Sequence, residues 1–444
     1  MCPPPGSARR PRKPSDADKK PGGRRRPEVR QGGPRVRRAK ARDHGGPGVR
    51  GPNVKVANNV ARLLRGGHPW IFRSAIRRDP DLDEGAVITV IDEAGYTVGF
   101  GIVESEGAIA VRMLSVVDAP FEWDAAEMTR RLKAAVSRRE RLGLPETRRL
   151  IHGEADGFPG IAVDLLGEFL LIYKYARVAE TYLDTLVPLL EEHLMPEGGG
   201  IYLQDRVRPV TADERRPPAF HLKGKAAPPD VEVDEDGLRF LVDVTAPVSP
   251  GLFFDLRDGR RLIEPWCKDR TVLNLFSFTG AFALRAIRGG ARAVTNVDAA
   301  ARSHARCRQN LAASGIDPEA CEALGGDVFK YLERFRQRDR VFDLVIVDPP
   351  PFSNVKGSVF SALRDYGDLM AAIAPVVAPG GLILAVCNAV RLSEEEFLLA
   401  LGEGAMAGGR SIRLLGECGL PPDYPVLPAF IEGRYLKIKL LQLD

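Results

Sequence analysis

From about residue 240 onward the chain alternates short apolar runs with stretches of helical spacing. The runs are Thr271-Val272-Leu273-Asn274-Leu275-Phe276, Ala293-Val294-Thr295-Asn296-Val297-Asp298, Phe342-Asp343-Leu344-Val345-Ile346-Val347-Asp348 and Gly381-Leu382-Ile383-Leu384-Ala385-Val386. Helices are predicted over 280–288 and 299–313, after the first and second runs. Short runs that are apolar almost throughout fit strands buried on both faces, and their alternation with helices specifies a doubly wound, mainly parallel sheet. Sheets of this kind bind ligands in the crevice beyond the carboxyl ends of their strands. The residues that matter for function are therefore those at the strand ends.

At 444 residues the chain is too long for that unit alone. Residues 1–52 carry 16 Lys/Arg against 4 Asp/Glu and almost no large apolar side chains, which leaves 48 basic and 55 acidic residues for the remainder. Such a segment buries too little surface to offset its ordering entropy, so a disordered basic tail is expected over 1–52. It can neutralise nucleic-acid phosphates, or serve only as a solubilising extension. Residues 53–120 read as a small, mostly β module: Ala86–Ile91 and Thr97–Val103 flank a turn at Asp92-Glu93-Ala94-Gly95, and Ala108–Leu114 forms a further strand. Residues 121–240 read as a small α/β middle domain. It has a helix over 121–145, a strand pair at Ile161–Asp164 and Phe169–Tyr173, a helix near 178–194, and a polar, proline-rich loop over 208–230. The alternating unit occupies 241–444.

Composition narrows the setting. A 44% hydrophobic content supports packed cores. No apolar run reaches the roughly 18–20 residues that span a bilayer, and the N-terminus lacks a signal-type apolar segment, so a soluble cytoplasmic protein is expected. The cysteines are scattered at 2, 267, 307, 321, 387 and 418 without CxxC pairs, which indicates neither a zinc site nor a disulfide framework. No metal and no membrane partner is expected, and the sequence leaves a homodimer open.

The loop after the first strand reads Phe276-Ser277-Phe278-Thr279-Gly280. Its glycine allows close backbone approach to a ligand, and the helix behind it offers free N–H groups. Asp298 ends the second strand, 18 residues beyond Gly280, where a carboxylate can accept both hydroxyls of a ribose. Asp327, in Gly325-Gly326-Asp327-Val328-Phe329, lies where a third strand should end and can meet an adenine edge. Each acid alone could be a helix cap. In order, beside that loop, they point to an adenosine-containing ligand. A dinucleotide is disfavoured because the first loop lacks the G-x-G-x-x-G on which a pyrophosphate sits. Asp348-Pro349-Pro350-Pro351-Phe352-Ser353 follows the next strand. Its prolines make a stiff loop that can hold Asp348 and backbone carbonyls around a planar base, with Phe352 stacked on it; the alternative is a rigid strand exit with Phe352 in the core.

With these motifs the chain resembles the PUA-domain-containing ribosomal RNA methyltransferases, the family of the large-subunit rRNA cytosine-5 methyltransferase, over roughly 54–444. Further markers are Gly67-His68-Pro69-Trp70-Ile71-Phe72, Gly153-Glu154-Ala155-Asp156-Gly157-Phe158-Pro159-Gly160, Gly251-Leu252-Phe253-Phe254-Asp255-Leu256-Arg257-Asp258-Gly259-Arg260, Asp423-Tyr424-Pro425-Val426 and Glu432-Gly433-Arg434-Tyr435-Leu436-Lys437. The resemblance implies a PUA-like RNA-binding module, a small middle domain and a Rossmann-like methyltransferase domain that uses S-adenosylmethionine on ribosomal RNA. It puts Phe254, Asp255 and Arg257 beside the cofactor, and Phe276, Thr279, Gly280, Asp298, Asp327 and Asp348 around it. Pro349, Pro350 and Phe352 would meet the substrate base, with Arg65 and His68 on the RNA-binding face.

The chain departs from the cytosine-modifying pattern at one place. Methylation of cytosine carbon 5 proceeds through a cysteine thiolate added to carbon 6. Cytosine-modifying members carry Ser-Cys-Ser after the fifth strand; here the stretch is Ala385-Val386-Cys387-Asn388-Ala389, with Asn388 at the nucleophile position. Cys387 stands one residue early, and adjacent side chains on a strand point to opposite faces. An asparagine there, with Asp348-Pro349-Pro350-Pro351-Phe352-Ser353-Asn354, resembles the guanine-N-methylating relatives, which need no covalent nucleophile. Cytosine carbon 5 and a guanine nitrogen both stay open, as does a non-catalytic RNA-binding assembly factor on the same fold.

Overall fold

The computed structural model describes residues 52–76, 82–116, 119, 121–207, 216–350, 352–355 and 358–444, with backbone only for 352–355 and 358–363. All but the last residue of the expected basic tail, and the side chain of Phe352, lie outside the described residues. Three sheets follow one another along the chain. Asn53–Lys55, Trp70–Phe72, Val87–Ile91, Thr97–Val103 and Ile109–Ser115 form the first. Along Val87–Ile91 only Ile88 and Val90 are fully buried, the period of two that a sheet with one covered face imposes. The short helix Asn58–Arg65 turns Ala61 and Leu64 into this core.

The second sheet runs Phe220–Gly224, Gly200–Asp205, Phe169–Lys174, Ile161–Leu166, Arg148–His152 in spatial order. Helices Ala125–Arg141 and Glu180–His193 bury Met128, Leu132, Tyr182, Leu186 and Leu190 against it. Asp124 starts the first helix by accepting the Glu127 N–H at 2.8 Å, as an N-cap does. The 208–230 stretch is not loop throughout, because Phe220–Gly224 adds an edge strand to Gly200–Asp205. It is mostly exposed; an edge strand held by main-chain bonds needs no apolar face, so its sequence carried no strand signal.

After a hairpin of Val231–Glu235 and Leu238–Val242 comes the large sheet. Its strands are β1 (Thr271–Leu275), β2 (Ala293–Asp298), β3 (Cys321–Gly325), β4 (Phe342–Val347), β5 (Val377–Cys387), β6 (Ile412–Cys418) and β7 (Lys437–Leu443). They lie in the order β3-β2-β1-β4-β5-β7-β6. The pairs from β3 to β5 are parallel, and β7 runs antiparallel to both its neighbours. Helices α1 (Ala281–Arg288) and α2 (Ala301–Ala313) cover one face, and α3 (Val328–Gln337), α4 (Ala362–Ile373) and α5 (Glu394–Ala407) the other. Side chains alternate between the two cores: Leu382, Leu384 and Val386 of β5 enter the first, Ile383, Ala385 and Cys387 the second. This is the doubly wound sheet expected from the apolar runs.

The middle and large sheets are joined by buried charge. Asp423, with no exposed surface, pairs through Oδ1 with the equally buried Arg257. Its Oδ2 accepts the Arg149 N–H at 3.0 Å. Its carbonyl accepts Arg139 at 2.7 Å, whose guanidinium also pairs with Asp156. The first sheet is held to both. Trp70 donates its indole N–H to Glu154 at 2.8 Å and packs on Phe430 at 4.5 Å, while Arg112 pairs with Glu154. Removing one partner of a buried pair strands the other charge, at a cost of about 3–5 kcal/mol. Asp423→Ala should therefore lower unfolding stability by roughly that amount, read as a shifted urea midpoint, whereas Arg308→Ala, at an exposed pair with Glu319, should shift it little.

Candidate active site

The carboxyl ends of β1, β2 and β4 open onto one cavity of about 860 Å³. Phe276, Phe278 and Thr279 line it from behind β1, Asp298 from β2 and Asp327 from ahead of α3. Asp348, Pro349 and Pro350 line it from behind β4, and Asn388 from behind β5. Residues Ala246 to Gly251, with Phe253 and Asp255, come from the segment ahead of β1.

The loop behind β1 is locked in an uncommon shape. Phe276, Phe278 and Gly280 take φ of 57°, 45° and 81°, and a side chain held there costs about 1–3 kcal/mol. Hydrogen bonds hold the conformation: Ser277 N–H to Val297 O at 3.1 Å, Thr279 Oγ1 to Gly251 O at 2.6 Å, and Asn310 Nδ2 to Thr279 O at 3.0 Å. At Gly280 a Cβ would stand 2.1 Å from Cys307 Sγ, so only glycine fits.

Asp298 ties this loop to β2. Its Oδ2 accepts the Phe278 N–H at 2.9 Å and its Oδ1 the Ala300 N–H at 2.8 Å. A carboxylate oxygen has two lone pairs, so one acceptor position is left on each, enough for a pair of neighbouring hydroxyls. Asp327 caps α3 through Oδ1, which takes the Lys330 N–H at 3.0 Å, and keeps Oδ2 for a ligand. Helix capping and ligand binding are thus compatible at both acids.

Asp348 faces the cavity with no hydrogen-bonding cation among the described residues. Burial, and then the charge of Asp255, push its carboxyl up to about 7. Burial also raises Asp255, opposed by the Tyr435 hydroxyl that donates to its Oδ2 at 2.8 Å. Asn388 Oδ1 is buried and has no hydrogen-bond partner among the described residues.

Not every residue expected at the site lines it. Phe254 is in the core on the α1–α2 side. Arg257 is turned away onto Asp423, with its Nε and Nη1 unpartnered. Gly280 lies behind the loop. Cys387 is 1% exposed, in the core on the α3–α5 side, and burial pushes its thiol up. Arg65 pairs with Asp92 at 2.8 Å. His68 is half-buried in the seam, with Nδ1 at 3.0 Å from Trp70 O and its ring on Phe430 at 5.9 Å. His152 meets Arg149 Nη1 at 3.2 Å and is held down at about 3 by burial and that cation. Tyr435 was marked only as part of the Glu432–Lys437 motif, with no role at the site, and the Ala246–Pro250 segment went unnoticed. The latter was visible only as the turn-forming Pro247-Val248-Ser249-Pro250-Gly251.

The cavity suits S-adenosylmethionine. Its volume falls within the roughly 300–1,000 Å³ of small-molecule sites. Carboxylates at Asp243, Asp255, Asp298, Asp327 and Asp348 outnumber the lining arginines Arg302 and Arg306 and complement a ligand of net positive charge, and the strained aromatic loop has no glycine cradle for a pyrophosphate. Among the described residues no His/Cys/Asp/Glu cluster could hold a metal ion, and no helix is long and apolar enough to cross a membrane.

Comparison with known proteins agrees. Residues 148–434 match the family model of S-adenosylmethionine-dependent methyltransferases, and residues 54–116 that of PUA-like domains. The chain is 30% identical over 391 residues to ribosomal RNA large subunit methyltransferase I of Klebsiella pneumoniae subsp. pneumoniae, covering 87% of this chain and 97% of that one. The Alteromonas mediterranea protein of the same name is 31% identical over 380 residues, 85% of this chain and 95% of the relative. Among solved structures, the methyltransferase SMU.776, crystallised with S-adenosylhomocysteine (SAH), superposes with a TM-score of 0.79 at 25% identity, over 88% of this chain and all of the other.

Two measurements probe the site. Asp298→Ala should weaken S-adenosylmethionine binding by roughly tenfold or more, the loss of hydrogen bonds to a charged acceptor, read by titration calorimetry. Because Asp348 titrates near 7 in the free protein, a cationic ligand that favours its carboxylate should release protons on binding near pH 7. The apparent binding enthalpy should then vary with buffer ionisation heat near pH 7, lose that dependence by pH 9, and lack it in Asp348→Asn.

Proposed function

This chain belongs to the S-adenosylmethionine-dependent methyltransferase family, and from that premise we propose that it methylates a nitrogen of a base in large-subunit ribosomal RNA. Bound S-adenosylmethionine supplies an electrophilic methyl group; the rest is done by residues of the chain. Asp298 and Asp327 hold the nucleoside end. Pro349 and Pro350 form a stiff wall for a planar base, and the Ala246–Gly251 segment adds to the lining that shields it from water. An amino group of the base donates to Asn388 Oδ1 and to Asp348, which fixes the nitrogen lone pair. After transfer, Asp348 takes the proton that the nitrogen sheds, a role matched to a carboxyl near 7.

The observation that carries this reading is the absence of a thiol from the cavity lining. None of the described cysteines lines it, and the position facing it is Asn388, with an unpartnered acceptor. Chemistry at cytosine carbon 5 needs a thiolate at the base; chemistry at nitrogen needs orientation and charge. Ribosomal RNA as the substrate is supported by the names of the relatives, which span almost the same length, and by the PUA-like module.

The test is methyl transfer to unmodified large-subunit rRNA, followed by nucleoside mass spectrometry. Cys387→Ala is expected to stay near the unaltered rate, and Asn388→Ala to lose roughly tenfold or more, the penalty for an unpaired buried donor. A 5-methylcytidine product lost in Cys387→Ala, with cofactor binding intact, would overturn the nitrogen assignment.

A further inference from the structure

Beside the cavity, the middle sheet presents an aromatic and cationic surface that the steps above leave unused. Tyr175 follows the strand Phe169–Lys174 and is 53% exposed. Its backbone is pinned: the Tyr175 N–H donates to Gly160 O at 2.7 Å, and Gly160, at φ 76°, sits so close that a Cβ would fall 2.4 Å from the Ala176 Cβ. Tyr173, two residues earlier on the same face and almost fully buried, lies parallel to it, with centroids 6.1 Å apart and planes 17° apart. A rigid exposed ring backed by a second ring is the form of a base-stacking platform.

The charges around it are unbalanced in one direction. Arg206 lies 5.7 Å over the Tyr173 ring and donates to Val248 O in the cavity-lining segment. It has no carboxylate partner among the described residues, and its Nε is buried without a hydrogen bond. Arg216 approaches from the next segment, donating to Asp205 O at 2.6 Å. Burial and the neighbouring Arg216 charge both disfavour the cationic form of Arg206. Nearby cations are paired: Arg149 with Asp164, and Lys174 with Glu180 and Asp205. Two guanidiniums in a cleft with no carboxylate partner among the described residues are costly unless a ligand brings an anion, and an arginine fork matches a phosphate.

We propose that Tyr175, backed by Tyr173, stacks a base of single-stranded RNA while Arg206 and Arg216 hold an adjoining phosphate, so that the strand enters the cavity past Val248. This rests on the reading of RNA as substrate. It adds the element that would receive an unstacked nucleotide before its base reaches Asp348 and Asn388. The platform belongs to the middle domain and the methyl-donor pocket to the large sheet, so the RNA strand would bridge the two.

The experiment uses the full chain with a fluorescein-labelled single-stranded RNA decamer of mixed sequence, read by anisotropy across a salt series. Parallel assays measure methyl transfer to unmodified large-subunit rRNA and calorimetric S-adenosylmethionine binding. Tyr175→Ala should weaken decamer binding by roughly tenfold, within the range of one base–aromatic stack, and leave the salt slope and cofactor affinity unchanged. Tyr175→Phe should restore binding. Arg206→Gln should instead flatten the slope of log affinity against log salt by about 0.7, one phosphate contact on a single strand. Tyr175→Ala binding RNA like the parent, or Tyr175→Phe failing as badly as Tyr175→Ala, overturns the platform. An unchanged slope in Arg206→Gln overturns the phosphate site. If the parent transfers no methyl to rRNA while decamer binding still depends on Tyr175, the rRNA assignment falls and the platform stands.

Discussion

The Asp423 carboxylate is the point on which the arrangement of the site depends. It reaches back from the segment before β7 and takes Arg257 of the large-sheet domain on one oxygen and the Arg149 backbone of the middle sheet on the other. Its own carbonyl holds Arg139 from the helix Ala125–Arg141. The ring of the next residue, Tyr424, lies under the Arg149 guanidinium at 4.3 Å and beside His152 at 5.1 Å. A cluster of buried charges does not tolerate sliding, because any shift leaves a charge unpaired in low dielectric. The middle sheet is therefore fixed against the large one, and that fixes how Tyr175 and Arg206 stand to the mouth of the cavity.

Electrostatics then divides the cleft. Five carboxylates, at Asp243, Asp255, Asp298, Asp327 and Asp348, line the cavity against two arginines, Arg302 and Arg306, while Arg206 and Arg216 stand on the side of the middle sheet with no acidic side-chain partner among the described residues. A cationic donor is favoured within and a polyanion outside. The raised Asp348 carboxyl reflects the same crowding, since burial and Asp255 both oppose its charge until a cation or a proton donor arrives.

How much of this was legible in sequence follows from what each signal measures. The β1, β2, β4 and β5 runs showed themselves because strands buried on both faces must be apolar. Asp298 and Asp348 could be placed because they end two of those runs; Asp327 follows β3, which has no such run (Cys321–Gly325), and was placed only where a third strand should end. The edge strand Phe220–Gly224 did not show itself, since its bonds are main-chain and its side chains face water. Nor did Tyr435, Tyr175 and Arg206, whose relevance arises only when segments 180 residues apart, as for Tyr435 and Asp255, are folded together. Phe254 and Arg257 show the opposite failure. They flank Asp255 in a motif that marks the cofactor region, but a short helical turn sends its residues in different directions, and of these three only Asp255 lines the cavity.

The same reasoning bears on chemistry at the end of β5. Cys387 and Asn388 are neighbours, and a one-residue slip of the strand would exchange them. The slip is blocked by register on both sides. Val345, Ile346 and Val347 of β4 pair with Ile383, Leu384 and Ala385, while β7 pairs Leu382 through Cys387 with Gln442 through Lys437. Moving Cys387 into the cavity would turn Leu382, Leu384 and Val386 out of one core and drive Ile383 and Ala385 out of the other. Each exchanged side chain would have to fit a core packed for its neighbour, a misfit of about 1–3 kcal/mol, so local breathing does not bring the thiol into the cavity. Tyr366 reinforces the block by donating its hydroxyl to Val386 O at 2.8 Å, anchoring the strand one residue before the cysteine. Which of the two neighbours faces the cavity is thus decided by strand parity, and parity selects Asn388.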